Sequence, residues 1–137
     1  MTAGSGRRLE RQRAYRRGRR AEWIAGCWLR LKGYRILARD YRCPVGEIDL
    51  IVRRGAVLVF VEVKRRDRLD TAAEAISQRQ RRRVARAAQA FLQTHPQLGH
   101  LDQRFDALLL APALGRPWRP WLRHQKDAWQ SDTSLPY

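Results

Sequence analysis

The sequence predicts one α/β domain, a mixed β-sheet flanked by helices in the order αβββαβ, and three observations carry that prediction. The 137 residues fit a single domain, and 44% of them are hydrophobic, with five Trp, four Tyr and three Phe, which argues against disorder. Apolar residues recur at three- and four-residue spacing near both ends of the segment 21–92, as in helices. Between them lie three short stretches of strand character, one of them apolar throughout like a strand covered on both faces.

Each element has a local reason. Ala21, Ile24, Ala25, Trp28 and either Leu29 or Leu31 make one apolar stripe, so a helix begins inside the basic block 1–20 and runs to about Lys32, with Gly33 as its stop. Tyr34–Tyr41 is the first strand, and Cys43-Pro44-Val45-Gly46 a turn. Glu47–Val52 alternates polar and apolar residues as a half-buried strand does. Arg53–Ala56 is a turn, and Ala56–Val61 is an apolar strand that ends in Glu62-Val63-Lys64-Arg65. Thr71–Glu74 and Ser77–Gln80 each have capping-box spacing, for a short helical turn and then a long helix. Val84, Ala87 or Ala88, Phe91 and Leu92 form the inward face of the long helix, and His95-Pro96 ends it. Phe105–Leu110 is a further strand and Trp118–Leu122 a candidate for one more. Lys126–Trp129 reads as a closing turn of helix and Ser131–Tyr137 as a loose tail.

Charge narrows the function. Twenty-nine basic residues against thirteen acidic ones leave a net +16, and 26 of the basic residues are Arg. An excess of this size points to a polyanion, nucleic acid before an anionic membrane surface. Eight of the Arg lie in residues 1–20 against one acid, Glu10. Arg16, Arg17, Arg19 and Arg20 of this block, Arg65, and Arg79, Arg82 and Arg83 on the long helix are the candidate phosphate contacts. No apolar run approaches the roughly 20 residues that span a bilayer, and the basic N-terminus leads into no apolar signal region. Cys27 and Cys43 have the spacing of neither a disulfide framework nor a zinc site, so two free thiols in a reducing cytoplasm are expected.

Asp49, Glu62 and Lys64 are charges placed among apolar strand residues. A turn centred on Arg54-Gly55 sets Asp49 opposite Phe60, with Glu62 one diagonal step away on the same face, about 7–8 Å off. A turn one residue longer or shorter puts the carboxylates on opposite faces. Two converging carboxylates suit a hard cation, Mg²⁺ or Mn²⁺, which polarises a phosphodiester and lowers the pKa of a bound water. Lys64, two residues beyond Glu62, is placed to orient that water or offset developing charge. Glu22 on the first helix and Gln80 on the second are further candidates for the same site. The bland alternatives are a solvated strand face for the first three, a helix-surface pair with Arg19 for Glu22, and a capping role for Gln80. Asp106 after Arg104 reads as a structural ion pair, His95, His100 and His124 lack ligand spacing, and Trp118, Trp121 and Trp129 read as core or edge packing, with stacking on unpaired bases as the alternative for any that are exposed.

Gly18-Arg-Arg-Ala-Glu22, Gly33-Tyr34, Gly46-Glu-Ile-Asp49-Leu-Ile, Phe60-Val-Glu62-Val-Lys64, Arg104-Phe-Asp106 and Asp127-Ala128-Trp129 together resemble the YraN-like uncharacterised protein family. That family has a restriction-endonuclease-like fold and is related to archaeal Holliday junction resolvases. The resemblance implies a PD-(D/E)XK core over residues 18–130, between a basic arm (1–17) and a flexible tail (131–137). In it Asp49 and Glu62 bind metal, Lys64 completes the E-x-K, and Glu22 takes the place of the helix-borne acid. The expected activity is Mg²⁺-dependent cleavage of branched or otherwise structured DNA. Kinship to resolvases implies a homodimer, since a four-way junction needs two symmetric cuts. Two features depart from the family: Gln80 stands where a Lys opens the long helix, and Arg65–Ala72 lacks the Gly that follows the E-x-K. The alternative is a DNA- or RNA-binding protein that keeps the fold without cutting.

Overall fold

The computed structural model describes residues 3–65, 76–111 and 121–130, apart from the side chains of 3–5, 9–18 and 121. Its elements are α1 (Ala3–Leu31), β1 (Arg35–Cys43), β2 (Gly46–Arg54), β3 (Val57–Arg65), α2 (Gln78–Thr94), a 3₁₀ turn (Pro96–Leu98), β4 (Asp102–Ala111) and β5 (Trp121–Trp129). The strands form one mixed sheet in the order β1-β2-β3-β4-β5. All neighbours are antiparallel except β3 and β4, whose parallel pairing requires the crossover that α2 supplies.

The apolar run of β3 is explained by its central place. Leu58 and Phe60 pack with Ile51, Phe105, Leu109 and the α2 residues Val84, Ala87, Ala88 and Phe91. Val59 and Val61 point the other way, onto Leu50, Val52, Leu108, Leu110 and the α1 residues Ala21, Ala25 and Leu29. The sheet is thus a middle layer with one helix on each face. Between the two leucines open to the stripe of α1, the core takes Leu29, which is fully buried, and leaves Leu31 87% exposed. The helix starts at Ala3 and takes in nearly all of the basic block.

The capping box holds: Ser77 Oγ accepts from the Gln80 amide and Gln80 Oε1 accepts from the Ser77 amide, at 3.2 and 3.3 Å. The turn between β2 and β3 does not fall where the sequence places it. Its two residues are Gly55, at φ +59°, and Ala56, so Arg54 pairs with Val57 and Leu50 with Val61. The left-handed conformation suits Gly and selects this turn over one centred on Arg54, where a side chain would be strained. Asp49 therefore stands opposite Glu62 rather than Phe60.

The last strand is a second correction. Lys126–Trp129 belongs to β5, not to a helical turn. The β4–β5 register shifts between Phe105 and Ala107, and Asp127 sits at φ 54° with its amide donating to Asp106 Oδ1 at 2.9 Å. A bulge held by a buried carboxylate breaks the strict alternation by which a strand is read. Trp129 stacks on Phe105 in the core, 5.5 Å between centroids. Thr71–Glu74, Trp118 and Ser131–Tyr137 lie outside the described residues.

Gly46 permits the closest approach of helix to sheet. A Cβ there would overlap the main-chain carbonyl oxygen of Arg83 and come within 2.8 Å of its carbon. We expect Gly46→Ala to destabilise the protein by about 1–3 kcal/mol through overpacking. Urea denaturation checks this, and an unchanged midpoint would mean that α2 is free to move off β2.

Candidate active site

The site lies where two strands part. The β2–β3 ladder runs from Arg54 and Val57 to Leu50 and Val61, after which β2 continues beside β1 and β3 beside β4. Beyond that point the amide of Val63 donates to Asp49 Oδ2 at 2.8 Å, so a side chain replaces the missing main-chain partner. Glu62 projects from the opposing strand and is 7% exposed. Lys64, on the same face, brings Nζ to 3.3 Å from Glu62 Oε1. Glu22 follows the buried Ala21 on α1 and is hydrogen-bonded to Asp49.

Burial raises the pKa of all three acids. The Glu62 carboxyl is pushed up to about 8 by desolvation and by the Asp49 charge, against the pull of Lys64. Glu22 rises to about 7, by desolvation first and then by Asp49 and Asp40. Asp49 rises by desolvation as well, opposed by the hydrogen bonds it receives from Val63, Glu22 and Glu62. Lys64 acts on Asp49 and Glu62 and Arg19 on Glu22, yet desolvation prevails at all three, and hydrogen bonds join both Glu carboxyls to Asp49. All the converging oxygens are hard carboxylate donors, a set that fits Mg²⁺ or Mn²⁺. Among the described residues no three His, Cys, Asp or Glu side chains already stand as a ready-made metal cage.

The structure brings together four of the five candidates, Glu22, Asp49, Glu62 and Lys64. Gln80 is held in the capping box instead, its Oε1 committed to the Ser77 amide. Asp40 was not legible as a member. It sits at φ 48° on β1, between the pairs Arg39–Leu50 and Tyr41–Ile48 and hence opposite Asp49, and pairs with Arg42 at 3.1 Å. The only sequence signal was an acid in mid-strand. Arg19, Arg20, Arg65, Arg79, Arg82 and Arg83 are exposed, while the side chains of Arg16 and Arg17 lie outside the described residues.

A family model described as "Uncharacterised protein family UPF0102" matches residues 21–110, about two thirds of the chain. The chain belongs to the UPF0102 family. This is the YraN-like family that the motifs resemble. The chain is 52% identical to a UPF0102 protein of Parvibaculum lavamentivorans over 117 residues, 85% of this chain and 84% of that one. It is 50% identical to UPF0102 proteins of a Chelativorans species over 109 residues (80% and 88% of the two chains) and of Mesorhizobium japonicum over 118 (86% and 90%). The UPF0102 match takes in Glu22, Asp49, Glu62, Lys64 and Gln80. Among the described residues no helix is long and apolar enough to cross a membrane.

A second buried acid has the opposite electrostatics. Asp106 is fully buried, and it accepts from Arg104 Nε at 2.8 Å and Nη2 at 2.9 Å, His124 Nε2 at 2.7 Å and the Asp127 amide at 2.9 Å. Desolvation would raise its pKa, but the hydrogen bonds from His124, Arg104 and Asp127 outweigh it and hold it below the ordinary value. The ion pair with Arg104 is as the sequence suggests; His124 is an unforeseen member. Asp106 ties β5 to β4.

Glu62 makes stability depend on pH. Its pKa is about 8 in the folded chain against an ordinary 4.5, so the native state holds the proton more tightly than the unfolded one. That contribution is complete below about pH 4.5 and is lost as pH rises through about 8. A Gln at this position carries no such penalty. We expect Glu62→Gln, in the absence of divalent metal, to stay close to the native protein near pH 5 and to exceed it near pH 8 by on the order of 4 kcal/mol. Thermal unfolding across that range checks it; a difference that does not grow with pH would mean that Glu62 titrates normally.

Proposed function

We propose that this chain is a metal-dependent DNA endonuclease of the PD-(D/E)XK type, built on a restriction-endonuclease-like core and directed to branched or otherwise structured DNA. The observation that carries this reading is that Asp49, just past the end of the β2–β3 ladder, is hydrogen-bonded to Glu62, with Lys64 3.3 Å from Glu62, in an apolar sheet. A sheet interior tolerates such desolvated charges only at a cost, and strongly perturbed groups gather where chemistry needs them. The family motifs over Glu22, Asp49 and Glu62-Val63-Lys64 support the same assignment.

Asp49 and Glu62 would hold Mg²⁺ or Mn²⁺, with Glu22 at the border of the same donor set. The bound cation supplies Lewis acidity toward a phosphate oxygen and a water of lowered pKa. Asp49 is oriented by the Val63 amide, so its carboxylate is placed before substrate arrives. Lys64 donates hydrogen bonds to the attacking water or to a phosphate oxygen and offsets the negative charge that grows there. Arg19, Arg20, Arg65, Arg79, Arg82 and Arg83 carry the phosphate backbone; their contacts position without reading sequence. A homodimer fits this role, since a four-way junction takes two symmetric cuts.

The test is nicking of branched, flapped and linear DNA with Mg²⁺ or Mn²⁺. Asp49→Asn and Glu62→Gln are expected to abolish cleavage and divalent-metal binding while leaving DNA affinity equal or higher, because a negative charge near phosphate is lost. Lys64→Ala is expected to slow cleavage by about a hundredfold or more at little cost in metal affinity. A wild-type protein that binds these DNAs and cuts none would establish the non-cleaving alternative.

Salt dependence tests the basic surface separately. The log–log slope of affinity against salt is about −0.9 per phosphate neutralised on duplex DNA. Deletion of residues 1–12 removes Arg7, Arg8 and Arg11 and is expected to flatten the slope by up to about three such increments. An unchanged slope would exclude residues 1–12 from the contact and leave it to the arginines that follow.

A further inference from the structure

Trp23 is 64% exposed, although it lies on a helix that packs against the sheet. At about 100° per residue it stands about 160° around the helix from both Ala21 and Ala25, which are buried. It therefore points away from the core and belongs to neither of its apolar clusters. Its immediate neighbour is Glu22, which is hydrogen-bonded to Asp49. Every exposed charged residue described on α1 is an arginine: Arg7, Arg8, Arg19, Arg20 and Arg30. Arg19 and Arg20 lie one turn before Trp23 and Arg30 two turns after it, on the same side of the helix.

We propose that Trp23 is a stacking platform for an unpaired base beside the candidate active site, and that this contact makes the protein prefer DNA with unpaired bases to continuous duplex. The argument is one of chemistry. An exposed indole offers a π-face on which any base can stack, and flanking arginines hold the phosphates on either side of it. Within continuous duplex both faces of each base are already covered by neighbours, so only a base freed at a fork, flap or junction can use the platform. Glu22, the preceding residue, reaches the carboxylate cluster from one step around the same helix, so a base held on Trp23 lies on the helix that carries the third acid. The inference rests on the DNA reading of this site and names the feature by which a substrate is chosen, but it does not require that the DNA be cut.

The test measures binding in EDTA, where cleavage does not interfere, to three fluorescent probes of equal length: a fork with unpaired oligothymidine arms, a single strand and a blunt duplex. Trp23→Ala is expected to weaken fork and single-strand binding roughly tenfold and duplex binding less than twofold. Trp23→Phe, which keeps a ring, is expected to retain most of the preference. A 2-aminopurine in the fork's first unpaired position is expected to be quenched by the native protein and not by Trp23→Ala. Equal losses on fork and duplex, or none, would overturn the proposal. So would a change in oligomeric state on light scattering, which would make Trp23 and the exposed Leu31 a contact between copies of the chain. If the protein cuts no DNA but Trp23→Ala loses the fork preference, the nuclease reading fails and this proposal stands.

Discussion

The arrangement of the site depends on the hydrogen bond from the Val63 amide to Asp49 Oδ2. Strands that part within a sheet leave buried amides without ladder partners, and each such group costs about 1–3 kcal/mol. Asp49 removes one of those losses with its own side chain. The same bond fixes the carboxylate where the strands open, directly across from Glu62. Divergence of β2 from β3 and placement of the acid are therefore one event. The alternation of β3 then sets Lys64 on the face of Glu62 without further instruction from the sequence.

Two buried acids in one sheet show how differently the fold treats charge. Asp106 receives four hydrogen bonds, two of them from one guanidinium, and its pKa falls. It is a satisfied group whose work is to hold β5 and its bulge against β4. Asp49 and Glu62 feel the Lys64 ammonium and Glu22 the charge of Arg19, and all three are nonetheless shifted upward. What sets this cluster apart from Asp106 is that burial outweighs the hydrogen bonds and nearby charges at each of its acids.

Much of this was legible in the sequence because strand and helix periodicities are strong where one face is buried. The stripe of α1, the capping box of α2, the central β3 and the shared face of Glu62 and Lys64 all follow from spacing alone. The register of β2 on β3 did not, since a turn at Gly55-Ala56 and one at Arg54-Gly55 give the same faces but different partners. β5 was hidden for another reason: Asp127 leaves strand geometry to reach Asp106, a partner 21 residues away. Asp40 joins the acids only through cross-strand pairing, and Gln80 is committed locally. Neither fact is visible without the third dimension.

The consecutive residues Ala21, Glu22 and Trp23 show why a helix, rather than a loop, carries the third acid. Each step turns the side chain by about 100°, so one residue enters the core, the next meets Asp49 and the third faces solvent. Ala21, Ala25 and Leu29 anchor that rotation by packing against the sheet. Turning the helix by one residue would move Glu22 toward the core and Trp23 toward the carboxylates, so the apolar stripe fixes the place of the acid as well as the fold. A loop could bring Glu22 to the same place, but nothing would then hold the arginine-flanked face at a fixed angle to it. The first helix thus couples core packing, acid placement and the charged surface through a single periodicity.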